Sequence, residues 1–127
     1  MKKIDLTYIL DDDNIFIFVL MKLLAKNENF NRVLEFKNGK DLLETLTNSE
    51  GNIPNVILLD INMPVLDGWQ FLEKLEAMPN KDHFNVFIMT SSIDANDIEK
   101  SKLFSTVKDF ISKPINKEKL DRLLDYF

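Results

Sequence analysis

Short runs of apolar residues alternate along this chain with segments in which apolar residues recur at helical spacing. The apolar runs predict five strands, at about residues 6–10, 32–36, 56–59, 86–89 and 107–111. Runs of this kind, without alternating polar residues, are typical of strands buried on both faces. The helical segments fall at about residues 15–26, 40–47, 69–78, 94–104 and 117–126. Strands that alternate with helices indicate an α/β fold with a parallel sheet and right-handed crossovers.

Polar side chains stand where four of the predicted strands end. In chain order they are Asp11, Asp12, Asp13, Asp60, Thr90 and Lys113. The carboxyl ends of parallel strands meet at one edge of the sheet, which is where open α/β sheets bind ligands. Pro114 restricts Lys113 to extended backbone and can be cis, which would aim the lysine side chain. A lone aspartate at a strand end is more often a helix cap or turn residue, but the joint pattern favours a site.

The residue types at these strand ends point to phosphoryl chemistry. Carboxylates from Asp11, Asp12 and Asp60 would repel one another strongly unless a cation lay among them. Oxygen ligands favour Mg²⁺, which would also neutralise the oxygens of an incoming phosphoryl group. Asp60 is the candidate nucleophile, since carboxylates can form aspartyl phosphates. The Thr90 hydroxyl can donate a hydrogen bond to such a group, and Lys113 can pair with it as a point charge.

Composition narrows the class of protein. With 127 residues, of which 45% are hydrophobic, the chain is predicted to form one domain over residues 1–127, without an output domain. The balance of 16 Lys and Arg against 21 Asp and Glu gives a net charge of −5, which argues against a nucleic-acid partner. Cysteine is absent, so disulfides and thiolate metal sites are excluded. The sequence has neither a signal-peptide pattern nor an apolar run of membrane length. We therefore expect no membrane partner and a cytoplasmic location.

The first predicted helix carries more apolar residues than one buried stripe needs, because residues 15–21 are apolar on all sides. The stripe that covers the sheet is predicted to contain Phe16, Val19, Leu20 and Leu23. Ile15, Ile17, Phe18 and Met21 are then surplus, and Ile15 and Phe18 among them form a candidate surface for a partner protein. The alternative is that these two side chains pack against the last helix or against loops.

Four segments carry a combined motif, and they are Ile-Leu-Asp11-Asp12-Asp13, Leu-Leu-Asp60-Ile-Asn62-Met-Pro64-Val-Leu-Asp-Gly68, Met-Thr90-Ser91 and Lys113-Pro114. Together they closely resemble the receiver domain of two-component response regulators, of the single-domain, chemotaxis-regulator-like type. The resemblance implies a doubly wound (βα)5, flavodoxin-like fold with strand order 2-1-3-4-5. It also implies a signalling domain that is not an enzyme, beyond catalysing its own phosphorylation and dephosphorylation.

The resemblance also assigns roles to residues of this chain. A histidine kinase or a phosphotransfer protein would pass a phosphoryl group to Asp60. Mg²⁺ would be held by Asp12, Asp60 and the backbone carbonyl of Asn62, with Asp11 contacting it mainly through water. Thr90 and Phe110 would form the switch that changes the partner-binding surface, which in this family is usually the face formed by the last two strand–helix segments. Asn62 and Ser92 would tune the lifetime of the phosphorylated form.

Three positions depart from the common pattern of the family. Ser91 stands where receivers often have Ala or Gly, and Phe110 stands where many have Tyr. Thr106 stands near a common Gly-Ala pair and would be strained if its backbone had to be left-handed.

Two other functions remain open from the sequence. One is a phosphorylation-independent binding module that keeps only the fold. The other is a haloacid-dehalogenase-type phosphatase, which also begins with an Asp-x-Asp motif after a strand. The acidic metal pair that such phosphatases carry at a further strand end is missing here, since Asp121 and Asp125 fall on the last predicted helix.

Overall fold

The apolar runs form a single parallel sheet in a computed structural model, which describes residues 3–48, 53–63, 67–91 and 93–127. The strands are β1 (Ile4–Leu10), β2 (Phe30–Phe36), β3 (Val56–Asp60), β4 (Val86–Thr90) and β5 (Val107–Ser112). They are ordered β2-β1-β3-β4-β5, and every neighbouring pair is parallel. The doubly wound fold and strand order predicted from the sequence are therefore confirmed.

Helices follow the strands as predicted, and in the described residues they are α1 (Asn14–Ala25), α2 (Gly39–Asn48), α3 (Gly68–Glu76), α4 (Ala95–Ser101) and α5 (Lys117–Leu124). The predicted ends of the last two helices were too late. Phe104 donates its N–H to Ser101 O (3.0 Å) and Tyr126 donates to Leu123 O (3.1 Å). These bonds span three residues instead of four, so tighter turns replace the last α-helical turn that the apolar spacing suggested.

Two apolar layers cover the sheet, one on each face. The layer from α2 and α3 contributes Leu42, Leu46, Phe71, Leu72 and Leu75. The layer from α1 and α5 contributes Ile17, Leu20, Leu24, Leu120, Leu123 and Leu124. Every residue of β3 and β4 is buried between these layers, which explains why their sequences do not alternate. Burial of one such side chain stabilises the fold by roughly 1.5–3 kcal/mol, so the central strands are the rigid support for what lies at their ends.

The phase of α1 differs from the predicted stripe. Val19 was expected to face the sheet but is 58% exposed, whereas Ile17 is buried. Because the helix is apolar on all sides, spacing alone could not select the buried face. The capping bonds show where the helix begins, because Asp13 accepts hydrogen bonds from Ile15 N (3.0 Å) and Phe16 N (3.1 Å).

Thr106 does not adopt the left-handed backbone that would have strained it, since no described residue other than glycine has a positive φ. The Thr106 side chain is buried, and its carbonyl accepts a hydrogen bond from Val86 N (2.8 Å). Among the described helices the longest, α1, has 12 residues, and none is long and apolar enough to cross a membrane.

Candidate functional site

The polar residues singled out in the sequence come together at the carboxyl edge of the sheet. Asp11 follows β1, Asp60 and Thr90 are the last residues of β3 and β4, and Lys113 follows β5. Asp11, Asp60 and Thr90 are buried, whereas Asp12 is exposed. The site thus combines buried polar side chains with one solvent-exposed carboxylate, that of Asp12.

The three carboxylates form a compact acidic cluster. One oxygen from each of Asp11, Asp12 and Asp60 lies within 4.8 Å of the others. Two of them are oriented by backbone amides, because Asp13 N donates to Asp11 Oδ1 (2.9 Å) and Asn62 N donates to Asp60 Oδ1 (3.0 Å). Burial raises the pKa of Asp60 above its usual value, and the Asn62 hydrogen bond and Lys113 oppose that shift while Asp11 and Asp12 add to it. Hard oxygen ligands crowded at this distance fit a divalent cation such as Mg²⁺.

Lys113 supplies the positive charge of the site. Its Nζ lies 2.9 Å from Asp11 Oδ2 and 3.8 Å from Asp60 Oδ2. Its backbone N–H donates to Thr90 O (2.8 Å), and the peptide bond to Pro114 is cis, as the sequence allowed. The lysine side chain is only 16% exposed, so its ammonium is largely removed from water and held among the carboxylates.

An aromatic ring that the sequence did not single out as part of the site completes the surroundings of this ammonium. The centroid of the Phe16 ring lies 4.1 Å from Lys113 Nζ. Phe16 was predicted only as a residue that covers the sheet, and the two positions are far apart in the chain. Nothing in the spacing of the sequence indicates that they meet.

The two expected switch residues lie on one face of the sheet. Thr90 ends β4, and it pairs in register with Ser112 of β5, just as Ile88 pairs with Phe110. Successive side chains along a strand point to opposite faces of the sheet. Phe110, which is two residues before Ser112, therefore lies on the same face as Ser112 and Thr90. Phe110 is half-buried, and Ser91 beside Thr90 is exposed. Ser92 and Pro64 lie outside the described residues.

Ile15 and Phe18 lie on the outer face of α1 and are not part of the acidic cluster. Their side chains are 79% and 61% exposed, so they do not pack against α5 or against the described loops as the alternative required. Val19 joins them, and Lys22 Nζ lies over the Phe18 ring at 4.7 Å from its centroid. The exposed apolar surface of α1 thus consists of Ile15, Phe18 and Val19.

Comparisons with known proteins agree with this geometry. Residues 7–125 match the family model described as the response regulator receiver domain. The chain is 32% identical over 114 residues to a chemotaxis protein CheY of Listeria monocytogenes, covering 90% of this chain and 88% of that protein.

Solved structures give the same result. A two-component response regulator from Cytophaga hutchinsonii superposes with a TM-score of 0.90 at 26% identity, covering 98% of this chain and 97% of that one. A response regulator receiver protein from Dyadobacter fermentans superposes with a TM-score of 0.84 at 27% identity, covering 96% of each chain.

Receiver domains accept phosphoryl groups from histidine kinases, and they are typically signalling modules rather than catalysts. The match over nearly the whole chain decides against the phosphatase interpretation. This chain belongs to the response regulator receiver domain family.

Proposed function

We propose that this domain is a phosphoacceptor switch that takes a phosphoryl group onto Asp60 from the phosphohistidine of a histidine kinase or phosphotransfer protein. The observation that carries the proposal is the arrangement at the sheet edge. A buried carboxylate, Asp60, has an ammonium 3.8 Å away and two further carboxylates within 4.8 Å. A nucleophile, a counter-charge and a set of metal ligands are thus present together.

In the proposed transfer, a carboxylate oxygen of Asp60 forms a bond to phosphorus while the bond from phosphorus to the imidazole nitrogen of the donor breaks. The electron pair of that bond stays on the nitrogen. With the other ring nitrogen of the donor already protonated, the imidazole leaves as a neutral histidine, and the other product is an acyl phosphate on Asp60. The hydrogen bond from Asn62 N to Oδ1 fixes the orientation of the carboxylate. Only an ionised carboxylate can attack, and Lys113 opposes the rise in the pKa of Asp60 that burial causes.

The remaining side chains stabilise the transferred group. Asp11, Asp12 and Asp60 would hold Mg²⁺, with the carbonyl of Asn62 as a further ligand, and the bound ion would neutralise charge on the phosphoryl oxygens. Lys113 would pair with another phosphoryl oxygen, since its Nζ already lies near Asp60. The hydroxyl of Thr90 would donate a hydrogen bond to the group and would move towards it, and Phe110 would turn inward on the same face of the sheet. This change would alter the surface around α4, β5 and α5 that a downstream protein recognises.

The test is the intact mass of the protein after incubation with acetyl phosphate and Mg²⁺. The parent protein is expected to gain the mass of one phosphoryl group, and both Asp60→Asn and a sample without divalent metal are expected to gain none. An adduct that persists in Asp60→Asn would assign the phosphoryl group to another residue. A parent protein that gains no adduct and binds no Mg²⁺ in a titration would favour a phosphorylation-independent binding module.

The exposed apolar surface of α1 is the proposed docking site for the phosphodonor protein. Ile15 and Phe18 are in the first two turns of the helix, directly after the loop that carries Asp11 and Asp12. A donor helix seated on them would therefore lie beside Asp60. Apolar side chains with such large exposed fractions are a frequent feature of protein interfaces.

This docking is tested by comparing two phosphodonors. Phe18→Ala is expected to lower the rate of transfer from a phosphorylated protein donor by about tenfold relative to the rate with acetyl phosphate. Lys26→Ala, at the far end of the same helix, serves as the control. An unchanged ratio of the two rates in Phe18→Ala would rule out this surface as the docking site.

A further inference from the structure

The ring of Phe16 lies against a charged group of this site, and the proposed transfer gives Phe16 no role. Its ring centroid lies 4.1 Å from Lys113 Nζ. That is well inside the distance at which the electron-rich face of an aromatic ring attracts a cation. The attraction is stronger where water is excluded, and the lysine side chain is only 16% exposed.

The backbone fixes the ring relative to the acidic cluster. Phe16 is the third residue of α1, and its N–H donates to the side chain of Asp13, the helix cap (3.1 Å). Asp13 in turn donates its N–H to Asp11 Oδ1 (2.9 Å). These two hydrogen bonds therefore connect the first turn of α1 to the carboxylate of Asp11. The ring is placed by the same loop that places the acidic residues.

The other neighbours of the Lys113 ammonium are carboxylates, which also have a proposed role in metal binding. Asp11 and Asp60, at 2.9 and 3.8 Å from Nζ, are also the proposed ligands of a divalent cation. A cation among the carboxylates would weaken the attraction of Asp11 for Lys113, because it carries charge of the same sign as the lysine. The ring face differs from the carboxylates, since it attracts the ammonium without being a ligand for Mg²⁺.

From this geometry we propose that Phe16 is a positioning residue, whose ring holds the ammonium of Lys113 beside Asp60 so that it can pair with the phosphoryl group. This inference rests on the proposed function, because it assigns Phe16 a part in phosphoryl binding. It differs from a packing role, since an aliphatic side chain of similar volume would fill the same space but would not attract the ammonium. The ring, and not only the bulk of the side chain, is what the site requires.

The first test compares Phe16→Leu, which removes the ring, with Phe16→Tyr, which keeps it. Beryllofluoride, a mimic of the phosphoryl group, is titrated into each protein in the presence of Mg²⁺, and Mg²⁺ is titrated alone. Phe16→Leu is expected to bind beryllofluoride about three- to tenfold more weakly than the parent, with a much smaller change in Mg²⁺ affinity. Phe16→Tyr is expected to bind beryllofluoride as the parent does.

Two outcomes of these titrations would overturn the positioning role. One is parent-like beryllofluoride affinity in Phe16→Leu. The other is equal weakening in Phe16→Leu and Phe16→Tyr, which would mean that any change at this position disturbs the packing. A parent protein that binds Mg²⁺ but no beryllofluoride would overturn the proposed function together with this inference.

A second measurement tests the contact without phosphoryl chemistry, and its decisive signal is that of the parent protein. Protons of the lysine ε-methylene that face an aromatic ring give NMR signals shifted to high field. The Lys113 signal, assigned with Lys113→Arg, is expected to be shifted in the metal-free parent and to return to its ordinary position in Phe16→Leu. An unshifted Lys113 signal in the parent would overturn the inference while leaving the proposed function intact.

Discussion

Three negative charges crowd the end of β1 and β3, and a single lysine offsets them. Asp11 and Asp60 are buried, whereas Asp12 lies at the exposed rim and has no described ion pair. In the absence of metal, Asp12 mainly repels its two neighbours. Its charge would become favourable only with a cation bound. If the proposed Mg²⁺ site is used, Asp12 would therefore lower the stability of the metal-free domain and favour metal binding.

Replacing Asp12 with Asn separates these two effects. Asp12→Asn is expected to raise the free energy of unfolding of the metal-free protein by about 0.5 kcal/mol, because it removes like-charge repulsion at an exposed position. Mg²⁺ stabilises whichever protein binds it, by about 2.7 kcal/mol at one hundred times the dissociation constant. At a fixed Mg²⁺ concentration the parent is therefore expected to gain more stability than Asp12→Asn. Urea unfolding with and without Mg²⁺ measures both differences, and equal gains in the two proteins would contradict the assignment of Asp12 as a ligand.

Gly68 allows the chain to pass close to the backbone of Asp60 and Ile61. A Cβ atom at this position would lie 2.5 Å from Ile61 Cα and 3.0 Å from Asp60 O. Both are backbone atoms, so the contact cannot be relieved by a change of rotamer. Gly68→Ala is expected to lower the free energy of unfolding by roughly 1–3 kcal/mol, as measured in urea. A stability equal to that of the parent would show that the segment after β3 can move away at no cost.

At the scale of single residues, the sequence predicted the site residues that lie at the ends of strands. It did not predict Phe16, which lies on a helix. Asp60, Thr90 and Lys113 were found because each ends a recognisable apolar run, and parallel strands must deliver their ends to one edge. Phe16 was missed because its neighbour depends on how α1 lies across the sheet. Periodicity carries no information about that placement when a helix is apolar on all sides.

At the scale of secondary-structure elements, one carboxylate connects α3 to the loop before β5. Glu76, the last residue of α3, accepts hydrogen bonds from Ser105 N (3.0 Å) and Ser105 Oγ (2.5 Å), and it pairs with Lys81 Nζ at 3.3 Å. Burial acts to raise the pKa of Glu76, but the bonds from Ser105 and Lys81 outweigh it and lower the pKa from 4.5 to about 2. The carboxylate form therefore stabilises the folded chain.

This shift predicts a pH dependence of stability. A carboxylate whose pKa is lowered by folding contributes stability above its unfolded pKa and loses it as the pH falls through the folded value. Glu76→Gln is expected to cost about 1 kcal/mol near neutral pH, after allowance for solvent screening. The difference from the parent should shrink as the pH falls from about 4.5 towards 2. Urea unfolding across this range measures the difference, with the exposed Glu73→Gln on the same helix as control. A difference that is independent of pH would contradict the role of the charged carboxylate.

At the scale of the whole molecule, the carboxyl and amino edges of the sheet carry different groups of residues. The carboxyl edge gathers the acidic cluster, Thr90 and Lys113, whereas the amino edge carries the contact between Glu76 and Ser105 that connects α3 to the loop before β5. The fully buried strands β3 and β4 separate these edges. The alternation of strands and helices indicated a parallel sheet with right-handed crossovers, whereas the strand order was implied only by the resemblance to receiver domains. The contact between Glu76 and Ser105 did not follow from the sequence, since it joins the end of a helix to the loop before β5, and no periodic pattern describes that loop.

This difference between the two edges predicts which amides will change their exchange rates when a phosphoryl mimic binds. Beryllofluoride with Mg²⁺ is expected to slow amide exchange in α4 and in residues 109–112 by about three- to tenfold, while Ser105 at the opposite edge changes little. The amide of Phe110 is a direct reporter, because it donates to Asp109 Oδ1 (2.8 Å), whose carboxylate also accepts a hydrogen bond from Tyr126 (2.7 Å). An inward turn of the Phe110 ring would disturb this arrangement on the face formed by β5 and α5. Asp60→Asn, which should not bind the mimic, provides the control. Slowing confined to the residues around Asp11 and Asp60 would mean that the site binds the mimic without switching the surface that a partner would recognise.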